Sequence, residues 1–461
     1  MKFTKFGKAL LMSALSLGVV LGITSCVQSY TVGYLYVTGA QTAQTPGNGI
    51  ISGFKIDHNT GNLVPIAGLP ISSGGANPGR AVLLNGGRFI YVLNQGVNAE
   101  GGSACTSADP CTKSNITQFS IGGNGVLAPQ QTFFTQGLNP FRIFTDTAGN
   151  YLYVLDHDSP ATISTPADPV SSSSTNPNPS CGLTLGTGVV SCGDITVFQI
   201  NATTGRLTLV VNSQVTSATG SALPYFPVPA DPIDFVLSSG FVLTMSGTPT
   251  TGDSVFPYTY SSSSGQLTVN QNSSQPLNIA NATAIVSTSF VYVLDNDPLT
   301  YTPVNTTTPV TVPSQILPFS IGSNGALQQQ TGGAVPGDAT LTNPIYLIAE
   351  SKGKWAYVAY QGSNNTTTGN PQSGIAGWVI DPSTHQLTPE IGAWGSGAGP
   401  VCLLEDPSDQ FIYTANFTDS TVTGRLIDQN AGVLDNLNGK ANRSFPLQGP
   451  AAWCMVTGRT S

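Results

Sequence analysis

Tyr34-Leu35-Tyr36-Val37 begins a pattern that returns along the whole chain. Each copy combines apolar or aromatic residues with a central tyrosine and a valine, and two copies replace one or both of these. The further copies lie at 89–92, 151–154, 241–244, 290–293, 355–358 and 411–414. Seven copies of one supersecondary unit predict a repeat architecture, in which every unit places its loops on the same two faces.

The sequence pattern predicts four strands in each unit, here named a to d. An Asn-, Asp- or Gly-Pro dipeptide such as Asn77-Pro78 precedes an apolar strand a, and the Tyr-Val segment is strand b. An aromatic strand c, a turn and a leucine-led strand d follow, as at Phe54, Gly61 and Leu63. Because strand b is apolar at nearly every position, both of its faces need cover. Radial stacking into a β-propeller supplies that cover, whereas a linear solenoid would need distinct capping repeats.

The two ends of the pattern predict how such a ring closes. The first Tyr-Val strand, near Tyr34, has no Pro-led strand before it, and the last Pro-led strand, at 449–456, has no strand b after it. We therefore expect residues 31–461 to form one all-β domain, a seven-bladed β-propeller of four-stranded antiparallel blades. Its C-terminal strand should pair with the N-terminal blade.

The composition limits the possible partners. Hydrophobic residues make up 39% of the 461 residues and charged residues only 8%, which suits many short strands around a packed core. Removing residues 1–25 removes three lysines and no acid, so 12 basic residues face 23 acidic ones and the balance is 12 − 23 = −11. This balance argues against nucleic acid and anionic lipid head groups as partners.

The N-terminus is predicted to be a targeting signal. Three lysines, at positions 2, 5 and 8, precede an apolar stretch at 9–23 that is short for a membrane span. The sequence Ile23-Thr24-Ser25-Cys26 resembles the lipobox of bacterial lipoproteins. That resemblance implies a signal peptide at 1–25, lipidation of Cys26 and a lipidated tether at 26–30. A plain secretory signal or an uncleaved anchor is the alternative.

The residues after Cys26 bear on localisation. Val27 and Gln28 follow the cysteine, and no Asp does. In Gram-negative lipoproteins that pattern implies retention in the outer membrane, facing the periplasm or the cell surface. We therefore expect the membrane to be a partner only through the lipid anchor.

Six further cysteines are compatible with disulfides in an exported protein. We expect Cys105 to pair with Cys111 and Cys181 with Cys192, because each pair is close in one predicted loop. Cys402 and Cys454 fall in corresponding strands of neighbouring repeats and either pair or remain buried thiols. No C-x-x-C spacing or Cys/His cluster indicates a metal, and no cofactor motif is placed on suitable elements.

Loop insertions concentrate on one predicted face. The long connections between strands b and c are at about 95–114, 157–193, 297–314 and 361–373, and a long connection from d to a is at about 212–230. Loops confined to one face of a rigid scaffold are the usual place for binding. The alternative is that these Ser-, Thr- and Asn-rich insertions have drifted on a tolerant surface.

Polar residues at the strand ends of that face are the candidate site. Arg80 and Arg142 each stand two residues after a proline and could bind a carboxylate, phosphate or lactone carbonyl, or else pair with an Asp of a neighbouring blade. His157 could act as a general base, or be an ordinary turn histidine. The remaining candidate binding-face residues are Asn94, Gln95, Asp156, Asp158, Asp295, Asn296, Asp297, Tyr360, Gln361, Asn416 and Asp419.

Two of these candidates form Asp-x-Asp pairs, at 156–158 and 295–297. Such pairs suit a hard cation such as calcium. Asx-turn capping explains them more simply, and they fall in blades that are not adjacent. We therefore predict no metal site.

The Pro-led strand, the turn and the Tyr-Val-x-Asn/Asp sequence resemble the lactonase-type seven-bladed propellers, a family also described by its Tyr-Val-Thr-Asn repeats. The resemblance covers about 31–461 and implies a fold like that of 6-phosphogluconolactonase and the fungal muconate-lactonising enzymes. In that family the proline is commonly followed by Arg-His, and strand b commonly ends in Asn-Glu. Here Gly79-Arg80 follows Pro78, Phe141-Arg142 follows Pro140, and Gln95 follows Asn94.

Two functions from different classes are therefore predicted. The first is a lipid-anchored extracytoplasmic propeller, non-catalytic or of unproven activity, that binds a small molecule, a carbohydrate or a protein on its loop face. The second is a lactonase-like hydrolase of the 6-phosphogluconolactonase type, using Arg80, Arg142 and His157 on a carbohydrate lactone. The absence of the family's histidine and glutamate favours the first. Neither requires a cofactor.

Overall fold

The strands of this protein surround a central axis in seven antiparallel sheets, as shown by a computed structural model. The structure describes residues 30–40, 48–84, 86–97, 111, 113–160, 192–216, 221–248, 250–269, 275–362, 373–437 and 444–458. Within these ranges the secondary structure is β-strand and turn, without an α-helix. None of the described residues belongs to a helix long and apolar enough to cross a membrane.

Each sheet is one blade, and its strands a to d run from the channel outwards. In five blades the chain leaving strand d adds a short strand that pairs with strand c. The first four strands named for each blade run from the inside outwards, and a fifth, where present, is the short strand that pairs with strand c. The strands of blade 1 are β37 (Ala451–Gly458), β1 (Thr31–Gly39), β2 (Asn48–Asp57), β3 (Leu63–Pro65) and β4 (Ile71–Ala76); of blade 2, β5 (Pro78–Leu83), β6 (Phe89–Asn94), β7 (Asn115–Ile121) and β8 (Leu127–Phe133); and of blade 3, β9 (Leu138–Thr145), β10 (Tyr151–Asp158), β11 (Cys192–Ile200), β12 (Leu207–Leu209) and β15 (Phe226–Ala230).

The other four blades follow the same order. Their strands are, for blade 4, β16 (Pro232–Ser238), β17 (Phe241–Thr248), β18 (Gly252–Tyr260), β19 (Leu267–Val269) and β20 (Gln275–Pro276); for blade 5, β21 (Ala282–Ser287), β22 (Val291–Asp295), β25 (Gln315–Ile321), β26 (Leu327–Gln329) and β27 (Val335–Pro336); for blade 6, β28 (Pro344–Ala349), β29 (Trp355–Tyr360), β30 (Gly374–Ile380) and β31 (Leu387–Gly395); and for blade 7, β32 (Leu404–Glu405), β33 (Phe411–Asn416), β34 (Thr421–Ile427), β35 (Leu434–Asn436) and β36 (Ser444–Pro446). Two separate hairpins pair β13 (Asn212–Thr216) with β14 (Ala222–Leu223) and β23 (Leu299–Tyr301) with β24 (Val310–Val312).

The ring closes as the sequence predicts. Strand β37 pairs with β1, so that Ala451 lies opposite Gly39 and Gly458 opposite Gly33. A disulfide between Cys402, in blade 7, and Cys454, in β37, joins the last blade to the first. Crosslinking residues 52 positions apart is worth about 4 kcal/mol in the chain-entropy account.

The other expected disulfides fall mostly outside the described residues. Cys111 is disulfide-bonded, while Cys105 and Cys181 are not described and only the backbone of Cys192 is. The lipobox and the tether at 26–30 also lie outside the described part.

The two faces of the ring have different connections. The loop face carries the b–c and d–a connections, including both separate hairpins. The short-turn face carries the a–b and c–d turns, such as 146–150 and 201–205. Every strand b lies between two other strands of its own sheet, and its side chains are buried on both sides by the neighbouring blades.

The repeated tyrosine of strand b connects neighbouring blades. In five blades its hydroxyl donates a hydrogen bond to a carbonyl in the c–d turn of the following blade. These bonds run from Tyr36 to Gly125, Tyr91 to Gly205, Tyr292 to His385, Tyr357 to Gly432 and Tyr413 to Gly61, over 2.6 to 3.0 Å. The last of them links blade 7 to blade 1. Burial raises the pKa of these phenols, so they remain neutral donors.

Blades 3 and 4 depart from this pattern. Blade 4 has Leu243 at the tyrosine position, and blade 3 has Tyr153. The Tyr153 hydroxyl is buried and has no hydrogen-bond partner in the described part of the chain, while Tyr151 in the same strand donates to the Ser263 carbonyl over 2.7 Å. Tyr91 and Tyr153 therefore form a matched pair, because both rings are fully buried and only the Tyr91 hydroxyl joins two blades.

We predict that Tyr91→Phe lowers the free energy of unfolding by about 1–3 kcal/mol, because it leaves the buried Gly205 carbonyl without its donor. Chemical denaturation followed by tryptophan fluorescence measures this loss. Tyr153→Phe is the control and should be neutral or slightly stabilising, since no bond is lost. Equal losses in the two variants would contradict the role given to the hydroxyl.

Candidate functional site

The residue before each strand a sets the geometry of the channel mouth. Asn77, Asn139, Asp231, Asn343 and Gly399 all precede proline and all have a φ between 50° and 69°. This left-handed region is open mainly to Gly, Asn and Asp, which explains the Asn-, Asp- or Gly-Pro signature. The carbonyl of this residue accepts a hydrogen bond from the backbone just after strand b, as between Asn77 and Gln95 over 2.9 Å.

A β-bulge follows the proline in blades 2, 3, 4 and 6, and it follows Ala282, at the corresponding position, in blade 5. The register of strand a against strand b shifts between Pro78 and Ala81 in blade 2, and at the corresponding residues of the next four blades. Bulges redirect side chains. Four of the bulged segments contribute Arg80, Phe141, Thr283 and Ile345 to one cavity on the loop face.

That cavity lies at the mouth of the channel and has a volume of about 570 Å³. Its only charged lining side chains among the described residues are Arg80 and Arg142. Amides, a hydroxyl and aromatic rings complete the wall. The side chains used below are Asn77, Arg80, Gln95, Phe141, Arg142, Thr283, Gln361, Phe417 and Trp453.

The two arginines share one carboxylate. Arg80 Nη1 lies 3.2 Å from Asp234 Oδ1, and Arg142 Nε lies 2.9 Å from the same oxygen. Asp234 is in strand a of blade 4, so these contacts tie blades 2, 3 and 4 together across the channel. Its oxygens also accept hydrogen bonds from the backbone N–H groups of Phe235 and Ile285.

Aromatic rings surround the guanidinium of Arg80, whose exposed fraction is 8%. Its central carbon lies 4.6 Å from the Trp453 ring centre, 5.8 Å from Tyr346 and 6.0 Å from Phe144. Cation–π attraction therefore adds to the ion pair. Arg80 and Trp453 also line a second, apolar cavity of about 300 Å³ farther along the channel. The Arg80 guanidinium and the rings around it therefore separate the two cavities.

Arg142 is the more accessible of the two arginines, with a side chain 23% exposed against 9% for Arg80. Burial and then the neighbouring charge of Arg80 lower the pKa of Arg142 to about 10, against the opposing effect of Asp234. It stays protonated at neutral pH. Two positive charges thus meet one negative charge, which leaves a net charge of about +1 at the cavity wall.

His157 is placed outside the cavity lining. Its ring stacks on Phe141, with the ring centres 3.7 Å apart, while Phe141 itself lines the cavity. Burial and the charge of Arg142 lower the pKa of His157 to about 4, although the side chain keeps a solvent-exposed edge. The imidazole is therefore neutral at physiological pH and is separated from the cavity by the phenyl ring.

The other candidate residues fall into two groups. Gln95 and Gln361 line the cavity, each held by a backbone hydrogen bond to the residue before proline. The rest lie within the blades or in their connections. Asn94, Asp156, Asp158, Asp295, Tyr360 and Asn416 are fully buried, whereas Asn296, Asp297 and Asp419 accept hydrogen bonds from backbone N–H groups of nearby connections.

The buried ends of strands b form cross-strand pairs with strand c. Asn94 lies opposite Asn115 in blade 2 and donates to its Oδ1 over 2.9 Å. Asp295 lies opposite Gln315 in blade 5 and accepts from its Nε2 over 2.7 Å, and burial raises the pKa of Asp295 to about 6. Each pair gives a partner to one polar atom at the end of strand b, while the Oδ1 atoms of Asn94 and Asp295 are buried without one among the described residues.

Blade 3 has two carboxyl groups at this position. Asp156 lies opposite Asp194, both are fully buried, and the Oδ1 atom of each has no hydrogen-bond partner. The Thr196 hydroxyl lies 3.4 Å from an oxygen of each. Burial raises the pKa of both groups well above the ordinary range, and the Asp156 charge adds to the shift at Asp194. No group of three or more metal-ligating side chains occurs within the described ranges.

We predict that Asp194→Asn stabilises the protein by about 1–3 kcal/mol at pH 8, because it removes one of two buried acids and supplies a donor. With a pKa raised in the folded state, the pair disfavours folding increasingly as pH rises above the unfolded value near 4. The gain should therefore be small at pH 4 and grow towards pH 8 in thermal melts. Asp435→Asn, at an exposed acid, is the control, and a gain independent of pH would show that the pKa values of the pair are not raised by folding.

We also predict that Asp234→Asn lowers the free energy of unfolding by about 3–5 kcal/mol, because two guanidiniums lose their buried counter-charge. Denaturant titration measures the loss, and the control Asp409→Asn, at a half-buried acid in the a–b turn of blade 7, should change stability by no more than about 0.5 kcal/mol. An unchanged midpoint for Asp234→Asn would show that the ion cluster does not support the ring.

The sequence matches no family model and no curated protein. Solved structures nevertheless share the architecture. A candidate 6-phosphogluconolactonase from Bacteroides fragilis is 13% identical, with a TM-score of 0.62 over 93% of this chain and 98% of that one. A second such candidate, from Bacteroides uniformis, is 12% identical, with a TM-score of 0.61 over 93% and 100% of the two chains.

The periplasmic gluconolactonase of Pseudomonas aeruginosa is similar to the same degree. It is 16% identical, with a TM-score of 0.61 over 93% of this chain and 99% of that one. At these identities the likeness establishes the shared seven-bladed fold. It agrees with the resemblance seen in the repeats, while the site of this chain rests on its own residues.

Proposed function

We propose that this protein is an exported, lipid-anchored β-propeller that binds a small, singly negative polar molecule in the channel-mouth cavity. The observation that carries this proposal is the sharing of one Asp234 carboxylate by Arg80 and Arg142, which leaves one positive charge at the cavity without a counter-charge among the described side chains that line it. A carboxylate is the simplest group to complete that charge balance, since guanidinium binds it through paired hydrogen bonds.

The cavity has the chemistry of a site for a sugar acid or its lactone. Its volume of about 570 Å³ falls within the usual range for small-molecule sites, roughly 300–1,000 Å³. Side-chain amides of Asn77, Gln95 and Gln361 and the hydroxyl of Thr283 can bind ligand hydroxyl groups. Phe141 and Phe417 offer apolar ring surfaces for the carbon skeleton.

Export and anchoring are supported by the N-terminal sequence, with its basic region, apolar stretch and lipobox-like ending at Cys26. The absence of Asp after the cysteine supports the outer membrane. The P. aeruginosa protein of the same fold is described as periplasmic. The disulfide between Cys402 and Cys454 suits an oxidising compartment.

The second candidate function is hydrolysis of a carbohydrate lactone. Its support is the shared fold with the Pseudomonas aeruginosa gluconolactonase and the two Bacteroides candidates. Such a reaction needs a base to activate water. The described lining contains no Asp, Glu or His side chain, and His157 lies beyond Phe141. Binding without turnover is therefore the function that the site supports best.

We predict that Arg142→Gln weakens binding of gluconate, used as the probe, at least about tenfold, which corresponds to about 1.4 kcal/mol. Arg142 carries the accessible guanidinium, so its loss removes the charge balance for the anion. Isothermal titration calorimetry measures the affinity. Arg206→Gln, at an exposed arginine in the c–d turn of blade 3, should leave it unchanged. Equal weakening in both variants would point to a general charge effect instead.

A panel of aldonolactones assayed with the same proteins separates the two functions. The binding proposal expects no turnover above the spontaneous rate, with gluconate affinity retained in His157→Ala. Turnover that disappears in both His157→Ala and Arg142→Gln would establish the hydrolase and overturn the non-catalytic assignment.

A further inference from the structure

The first strand runs the full height of the propeller and fixes where the N-terminal tether leaves it. Strand β1 begins at Thr31, and its Gly33 pairs with Gly458 at the end of β37. It finishes at Gly39, opposite Ala451. Ala40 and Ala451 line the channel-mouth cavity. The tether therefore leaves the short-turn face, at the end of the ring opposite the cavity.

The exit point is held in place. The Tyr30 ring stacks on His58, with ring centres 4.4 Å apart, and the His58 N–H donates to the Tyr30 carbonyl over 3.0 Å. His58 belongs to the c–d turn of blade 1, which connects β2 to β3. Tyr30 keeps 49% of its surface exposed. A tyrosine with an apolar body and a polar tip suits the head-group layer of a bilayer.

Length then decides which face can reach the membrane. Residues 26–30 span at most about 17 Å when fully extended. The nine residues of β1 rise roughly 30 Å from the short-turn face to the loop face. A lipid on Cys26 therefore cannot bring the loop face to the bilayer without unfolding β1.

We infer that the short-turn face around Tyr30 rests on the lipid head groups and that the channel-mouth cavity opens away from the membrane. This inference depends on the lipid anchor of the proposed function. The lipid surface it fits is zwitterionic, because residues 26–461 carry 12 basic and 23 acidic residues and anionic head groups would repel them. The anchor and the ring geometry supply the orientation, and the ligand then enters from the aqueous side.

The test uses the full lipidated chain reconstituted in phosphatidylcholine vesicles that contain a lipid with a head-group nitroxide. A fluorophore is attached to a single introduced cysteine in one of three exposed turns. Asn59→Cys lies beside the exit point, Ser262→Cys lies on the same face in blade 4, and Thr307→Cys lies on the loop face in blade 5. The unaltered chain, treated with the same reagent, gives the labelling background.

We expect the nitroxide to quench the label at position 59 most strongly and the label at position 262 less, since it is farther from the tether. The fluorescence of the label at position 307 should be the same in vesicles with and without the nitroxide. Quenching at 307 equal to or above that at 59 would overturn the orientation. So would absence of quenching at all three positions in protein that floats with the vesicles.

Flotation separates failure of this inference from failure of the anchor. The unaltered chain should float with the vesicles, and Cys26→Ser should not. If the unaltered chain does not float, the lipid anchor is wrong and the orientation falls with it. If it floats and the quenching order is reversed, the anchor stands and only the orientation is wrong.

Discussion

The hydrogen bond from a strand-b tyrosine to a turn carbonyl of the next blade is the contact on which the ring depends. Each blade is a small sheet that cannot cover both of its own faces, so adjacent blades must meet at a fixed angle and height. The tyrosine fixes both, because its ring fills the interface and its hydroxyl reaches one particular carbonyl. Since Tyr413 makes the same bond to Gly61, the closing interface is built like four of the six internal ones.

The fold could be predicted from the sequence because its determinants are local and repeated. The left-handed residue before proline, the apolar strand b and the glycine of the c–d turn each appear in most units. The repeat period and the closure of the ring can therefore be predicted from the order of these signals along the sequence. The same local signals explain the placement of Gln95 and Gln361, which follow strand b and are held by the residue before proline.

The site was predictable only in part, because its chemistry arises between blades that are distant in sequence. The position two residues after proline indicated Arg80 and Arg142. The same position in blade 4 is Asp234 and in blade 6 is Tyr346, and comparing all seven copies at that position would have found both. Sequence reasoning could not show that one carboxylate serves two arginines, or that Phe141 stands between His157 and the cavity, since both depend on how bulged strands converge.

The disulfide between Cys402 and Cys454 has a consequence for how the protein matures. Strand β37 is the last strand of the ring to leave the ribosome or a translocation pore, and blade 1 lacks its channel-lining strand until then. Up to that moment Cys402 is a thiol without its partner, and the channel has a gap one strand wide. Formation of the Cys402–Cys454 disulfide then links the first blade covalently to the last, so that β37 cannot separate from blade 7. Trapping of free Cys402 thiol during biogenesis would therefore report when the ring closes.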